Sequence, residues 1–414
     1  MLRSLTIKRF KSIYEQTLEF GHVNLFVGPN GSGKSNILEA IGIVAAVFSR
    51  GLEPSELDLK GIRLSLPHIF KSAFKGHDLP QTFRLEARFD YGRYECSIRA
   101  GKASAYLEFF SEALYEGDVQ IYGRSAHGIK LHGAGRYLPP LDRDSIEITR
   151  SVWSVISPFL DISHEFRDEL MRFSRYAIYA PQTAIMRGLA IDNRVVEPLG
   201  LTGSGLATAL EQTVDALSAA EFRRMSRIIW EPGWARSIEI GNFNPEIVPS
   251  QVKSDGRSLY IKDRYMRGGR NMLSAFDASE GTLYLVFVAA LLGHPETPLT
   301  FALDNVDGTL NPRLVRKLTD HIVDVVRQSA QDGDDRQVFM TSHHPSALDS
   351  IDIFDKSERI FVCNRAEPTA AVSGATFFRP LEPPKGMDRN TWAAKHGGNN
   401  LSELLLEGRI KDAL

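Results

Sequence analysis

The chain has 414 residues, with 49 Lys and Arg against 51 Asp and Glu, a formal net charge of −2, 43% hydrophobic residues and two cysteines. That length and apolar content exclude a disordered or fibrous chain and predict a large α/β body or two to three units, since domains run to about 150 residues. Near-neutral charge excludes a bulk electrostatic nucleic-acid binder and leaves only a local patch, while Cys96 and Cys363, far apart and outside any metal-binding spacing, exclude a disulfide framework or structural zinc site and predict a reducing, cytoplasmic setting.

The longest apolar runs, residues 41–48 and 283–292, are shorter than the ~18–20 residues that cross a bilayer, so no membrane partner is expected. The first residues carry no signal-peptide pattern either.

Residues 2–27 predict two strands. Leu5, Ile7 and Phe10 mark the first; Val23, Leu25, Phe26 and Val27 form a short buried second that stops at a glycine. The segment GPNGSGKSN at 28–36 follows, and then Ile37, Leu38, Ile41, Val44 and Phe48 recur at helical spacing, so the order is strand, glycine-rich loop, helix. Residues 81–115 predict an antiparallel β layer, leading from Phe83, Leu85 and Phe89 through Asp90, Tyr91 and Gly92 into the β-branched and aromatic run 94–98.

Residues 145–236 turn mostly helical, with Phe166, Leu170 and Phe173 and then Leu206, Leu210, Val214 and Leu217 three or four apart. The phase is too short and irregular for a coiled-coil arm. PLTFALD (298–304) and QVFMT (337–341) are apolar strands separated by a helix over about 312–327. Asn311 is its N-cap, Pro312 is at N1, and Leu314, Val315, Leu318, Ile322, Val325 and Val326 form one stripe. This is a βαβ unit and predicts a parallel core sheet. The expected organisation is an N-terminal lobe at 1–144, a helical insertion at 145–236 and a C-terminal lobe at 237–414.

Gly28, Gly33, Lys34 and Ser35 satisfy G-x-x-x-x-G-K-[ST]. The pattern needs glycines because backbone N–H groups must close around phosphate oxygens without Cβ interference; Lys34 then reaches the β/γ-phosphates and Ser35 holds Mg²⁺. The helix N-terminus adds its partial positive charge to the same anion. Asn30, Gly31, Ser32, Gly33, Lys34, Ser35 and Asn36 are therefore the nucleotide-binding candidates. Asp304 closes an apolar strand where a carboxylate reaches the cation held by Ser35. His343 leaves the next strand at the same edge, placed for a γ-phosphate or an attacking water, while His344 is its neighbour without an assigned role. Ser279 and Gly281 stand before another apolar helix, either as a second phosphate-binding N-terminus or as an ordinary cap.

Jointly these segments resemble the SMC-like and RecF-like branch of the ABC ATPase superfamily, in particular the compact AAA-type ATPases of bacterial anti-phage systems such as Septu, the PtuA-like ATPases. The residues that carry the resemblance are IKRFKS (7–12), GPNGSGKSN, ASEGT (278–282) as signature motif, LDNVDGTLNP (303–312) as Walker B and D-loop, and TSHHP (341–345) as H-switch. YAPQT (179–183) supplies Gln182 as the Q-loop residue and a magnesium ligand, and LSELLLEGRI (401–410) is similar to the family's closing segment. The resemblance spans nearly the whole chain. It implies an α/β, ABC-type P-loop ATPase head with a mixed or parallel core sheet, an antiparallel β lobe and a helical insertion. It also implies ATP and Mg²⁺ as cofactors, and a head-to-tail homodimer in which Ser279 of one copy completes the other's site.

One position departs from the family. Where a glutamate normally polarises the attacking water, this chain has Asn305. An amide holds water but does not take its proton, and general-base assistance is worth ~10²–10⁴ in rate. ATP binding is expected to survive and turnover to be slow, unless Asp307 in the D-loop serves instead.

The expected function is a slowly hydrolysing ATP switch in anti-phage defence, a sensor or scaffold for a separate effector protein such as a nuclease. About 70 residues follow His343, too few for a second catalytic domain such as a TOPRIM fold. The other reading is a RecF-like DNA-binding repair ATPase. For it, Lys253, Arg257, Lys262, Arg264, Arg267 and Arg270, against Asp255 and Asp263 and with Tyr260 and Tyr265 between them, form either a DNA-contacting edge or a solvated hairpin.

Overall fold

The computed structural model describes residues 1–100, 105–132, 141–194, 198–253, 256–367 and 369–409, so Asp255 of the basic segment and Ile410 of the closing segment lie outside the described residues. The chain divides into two compact units: Met1–Ile178 with Pro298–Asp304 and Gly333–Leu414, and Tyr179–Thr297 with Asn305–Asp332.

In chain order the strands begin with β1 (Leu2–Phe10), β2 (Ile13–Glu19), β3 (Val23–Val27), β4 (Thr82–Phe89), β5 (Gly92–Arg99), β6 (Glu108–Glu116), β7 (Val119–Ser125) and β8 (Gly128–Leu131). They continue with β9 (Ile178–Tyr179), β10 (Ala235–Asn242), β11 (Arg257–Asp263) and β12 (Met272–Ser274), and close with β13 (Thr300–Leu303), β14 (Gln337–Ser342), β15 (Glu358–Arg365) and β16 (Thr376–Pro380).

The first unit is built on one mixed sheet, in the order β8-β7-β6-β5-β4-β1-β2-β16-β15-β3-β14-β13-β9. Its parallel centre is β13, β14, β3 and β15. Every residue of β3 and β14 is buried, as expected where both faces of a parallel sheet are covered. The antiparallel side alternates instead: along β4, Phe83, Leu85, Ala87 and Phe89 point inward while Arg84 and Arg88 are exposed.

Residues 2–27 hold three strands rather than the expected two. β1 turns back at Lys11 and Ser12 into β2, with Arg9 and Lys11 both at positive φ, 62° and 46°. β2 escapes the apolar pattern because only Ile13 and Leu18 of its seven residues are buried.

Helix α1 (Lys34–Val47) follows β3 and is buried continuously from Ile37 to Val47. A helix apolar on every side is a core helix. Its one buried carboxylate, Glu39, is ion-paired with Lys11 and with Arg63, the latter 2.6 Å away. Burial lowers the Lys11 pKa against the opposing pull of Glu39. Cys96 and Cys363 are buried free thiols, and desolvation raises both, so neither serves as a nucleophile.

The second unit carries the antiparallel sheet β10-β11-β12 and two helices that hold the motifs. Helix Glu280–Gly293 is buried from Thr282 onward. Helix Pro312–Gln331 runs about one turn past the expected end, with Val315, Leu318, Ile322, Val325 and Val326 buried and Leu314 partly so. Among the described residues, no helix is long and apolar enough to cross a membrane.

At the centre of the first unit, Phe26 of β3 is fully buried. It stacks on Phe361, with centroids 5.0 Å apart, and meets Phe378 edge-on at 5.7 Å. Phe26→Ala is expected to cost about 3–5 kcal/mol by denaturant titration, against under about 0.5 kcal/mol for the exposed Leu64→Ala.

Candidate phosphate-binding site

β3 ends at Gly28 because no side chain fits there: a Cβ would lie 2.2 Å from the Cys363 carbonyl oxygen on neighbouring β15. Gly31 and Gly33 then take φ of 79° and 102°, values that glycine adopts without the penalty a side chain brings. Asn30 and Gly31 are exposed at the loop crest, while Ser32 is buried.

The helix that follows is poorly capped by its own chain. Gly33 is the N-cap and contributes no side chain, and the first turn holds no acidic residue. The Asn36 N–H donates to the Gly33 carbonyl at 3.0 Å, and the partial positive charge of a helix start without a side-chain cap suits an external anion. Lys34 Nζ lies over the loop, donating to the carbonyls of Gly28 at 2.6 Å and Pro29 at 2.9 Å. Ser32 Oγ is buried and makes no hydrogen bond among the described residues.

Asp304 sits at the C-terminal end of β13. Ser35 Oγ, in the first turn of α1, donates to it at 3.0 Å from Oδ1 and 2.9 Å from Oδ2. Thr341 Oγ1 donates to Oδ1 from β14 at 2.5 Å. The structure therefore joins two side chains that stand 269 positions apart in the sequence. A hydroxyl and one carboxylate suit Mg²⁺, which keeps several waters and takes phosphate oxygens rather than a protein cage. Among the described residues, no group of three or more His, Cys, Asp or Glu could hold a metal ion.

His343 is exposed immediately after β14. His344 has a structural task that the sequence did not reveal: its Nδ1 accepts from the Ser346 N–H at 3.1 Å and caps the turn Pro345–Ser350.

The remaining candidates belong to the second unit. Ser279 caps helix Glu280–Gly293, its Oγ accepting from the Thr282 N–H at 3.2 Å. At Gly281 a Cβ would come 3.1 Å from Leu310 and 3.3 Å from the Thr309 carbonyl, so the signature glycine packs closely on the D-loop. Asn305 has φ of 63°, and its carbonyl accepts from the Gly308 N–H at 3.2 Å. Asp307 is buried at 5% exposure. Gln182 is exposed at the start of helix Thr183–Met186, its N–H donating to the Thr202 carbonyl at 2.9 Å.

Sequence reasoning missed Thr341, which stands one place beyond the Leu303–Met340 pair of parallel β13 and β14. That register would have flagged it as the neighbour of Asp304. It also missed the contacts made to the loop by β15 and β16.

Residues 23–349 match the family described as AAA domain, putative AbiEii toxin, Type IV TA system. The DNA replication and repair protein RecF of Magnetococcus marinus is 56% identical over 45 residues, which is 11% of this chain and 12% of that protein's length. Among solved structures, the chain is similar to an SMC head bound to the C-winged helix domain of ScpA, with a TM-score of 0.54, 15% identity and coverage of 93% of this chain and 99% of that one. It is also similar to an SMC head with an extended coiled coil bound to the C-terminal domain of ScpA derived from Pyrococcus furiosus, with a TM-score of 0.51, 14% identity and coverage of 92% and 96%. At such identities the likeness is one of fold: the mixed sheet with its helices is that of an SMC head.

Lys34→Ala is expected to abolish ATP binding measured by calorimetry. Asp304→Asn is expected to remove its Mg²⁺ dependence, because the substitution keeps the side chain's size and deletes the charge.

Proposed function

The chain belongs to the family described as AAA domain, putative AbiEii toxin, Type IV TA system, and we propose that it is an SMC- and RecF-like ATPase, an ATP-gated dimeric switch acting on a separate effector protein in anti-phage defence. The observation that carries the reading is the pairing of Ser35 with Asp304 beneath an uncapped α1. In this reading the N–H groups of the loop and Lys34 bind the triphosphate, and Ser35 and Asp304 hold Mg²⁺. His343 hydrogen-bonds the terminal phosphate, and the family resemblance assigns Gln182 as the Q-loop ligand of the cation. Bound Mg²⁺ would neutralise charge developing on the phosphates.

Ser279 and Gly281 lie at a helix N-terminus, a place suited to the γ-phosphate of a second copy's nucleotide. A head-to-tail pair would bury two nucleotides in this way. The SMC heads to which the fold is similar are described as bound to ScpA, which supports a partner protein as the output of the switch. The family description, a toxin–antitoxin system, supports a second protein component as well.

Asn305 sets the timing. It stands directly after Asp304 and supplies hydrogen bonds to a water but no base, so the ATP-bound state outlives that of a relative with glutamate by ~10²–10⁴-fold. The expected result is tight ATP binding with slow phosphate release. Asn305→Glu is expected to raise turnover at least about tenfold, even against the strain of placing Glu at positive φ, which costs about 1 kcal/mol. Fast hydrolysis by the unmodified protein would contradict the reading.

A DNA-directed role rests on a different observation. The β11–β12 turn exposes Tyr265, 79% accessible, beside Arg267 and Arg270, while Asp263 spends its carboxylate on the N–H groups of Tyr265 and Met266. If this turn met DNA, affinity would fall steeply with salt and with Arg267→Ala; the switch reading expects no such binding.

A further inference from the structure

The phosphate loop is held from outside by a hairpin that none of the motifs includes. Arg365 of β15 and Thr376 of β16 stand opposite one another in the hairpin register. Arg365 Nε donates to the Gly31 carbonyl at 2.9 Å, and its Nη1 donates to the Gly374 carbonyl at 2.8 Å. Thr376 Oγ1 donates to the Ser32 carbonyl at 2.6 Å. A cross-strand pair thus takes two consecutive carbonyls of the loop.

The proton order of this contact follows from counting. Thr376 has one hydroxyl proton, and Ser32 takes it. The 2.7 Å bond between Ser12 Oγ and Thr376 Oγ1 is therefore donated by Ser12. Ser12 in turn accepts from Asn36 Nδ2 at 2.6 Å. The chain Asn36 to Ser12 to Thr376 to Ser32 runs in a single direction, with each hydroxyl donating once and accepting once.

It begins in the first turn of α1 and ends on the loop that precedes it. Backbone reinforces it, because the Thr376 N–H donates to the Ser12 carbonyl at 2.6 Å. Thr376 is 4% exposed, so water does not compete for these groups.

The geometric consequence lies in the peptide plane. In a trans peptide, C=O and N–H point in opposite directions. Fixing the Ser32 carbonyl on Thr376 turns the Gly33 N–H away from the hairpin. With Gly28 and Pro29 held by Lys34, and Gly31 by Arg365, the carbonyls of these four loop residues all have donors. A phosphate is repelled by carbonyl oxygens and attracted by N–H groups, so this arrangement determines which of them it meets. The fit is close: a Cβ on Gly33 would lie 2.3 Å from Thr376 Oγ1 and 2.8 Å from Ser12 Oγ.

We propose that Arg365 and Thr376 are positioning residues: the β15–β16 hairpin is an outer clamp that preforms the loop and thereby sets its affinity for a nucleoside triphosphate. The proposal rests on the nucleotide reading of the site. Preorganisation of this kind raises affinity by removing the cost of ordering the loop at the moment of binding.

The test compares Thr376→Val, Thr376→Ser and Arg365→Ala with the unmodified protein, using ATP with Mg²⁺ in calorimetry and thermal unfolding without nucleotide. Thr376→Val keeps the shape and removes the donor, and is expected to weaken binding about tenfold, as is Arg365→Ala. Thr376→Ser restores the hydroxyl and is expected to recover most of the loss.

A lowered Tm with unchanged Kd in Thr376→Val and Arg365→Ala would overturn the clamp and leave a merely structural contact. Equal losses in the Val and Ser variants would overturn it too. If the unmodified protein bound no ATP, the site itself would fall along with the clamp, whereas normal binding that is lost in Lys34→Ala but untouched by the hairpin variants would reject the clamp alone.

Discussion

An anion bound by backbone alone requires peptide groups that do not satisfy one another. Under the proposed nucleotide reading that requirement falls on the N–H groups of Gly33 to Ser35, where β3 becomes α1 without a capping side chain and without a carboxylate in the first turn. The rest of the first unit serves it. Neighbouring β15 approaches closely enough to demand glycine at position 28, β14 supplies Thr341 to Asp304, and Asp304 takes the hydroxyl of Ser35. Lys34 meanwhile rests on two carbonyls of the same loop. A phosphate competes with those carbonyls for the ammonium and gains a charge-assisted bond where they offer a neutral one.

Much of this was legible in the sequence, because the loop is a local motif and its flanking elements announce themselves by hydrophobic period. Val23 to Val27 read as a buried strand, and the helix after it read correctly from Ile37 onward. Helix Pro312–Gln331 declared itself through its cap, its proline and its stripe. The closeness of Ser35 and Asp304 was expected from motif chemistry, and the structure shows the two side chains hydrogen-bonded.

What the sequence hid depends on long-range register. β2 is too polar to look like a strand and forms because β1 and β16 give its backbone partners on both sides. Nothing local marks Thr376 or Ser12 as neighbours of the loop, since they are 364 residues apart and meet only because β16 lies beside β2. His344 looked idle because a cap through its own ring nitrogen leaves no pattern. Asn305 was legible as a chemical departure but not as a conformational one: its φ of 63° lies where Asn is favoured over larger side chains, so backbone and chemistry agree on the residue.

Where a triphosphate binds decides the role of residues 28–35. A crystal structure grown with Mg²⁺ and a non-hydrolysable ATP analogue is predicted to show the β- and γ-phosphates on the N–H groups of Gly33 to Ser35. Lys34 should have turned from the Gly28 and Pro29 carbonyls onto phosphate oxygen, and the cation should lie between Ser35 and Asp304. A nucleotide seated elsewhere, or a loop that keeps Lys34 on its own carbonyls at saturating analogue, would contradict the nucleotide reading.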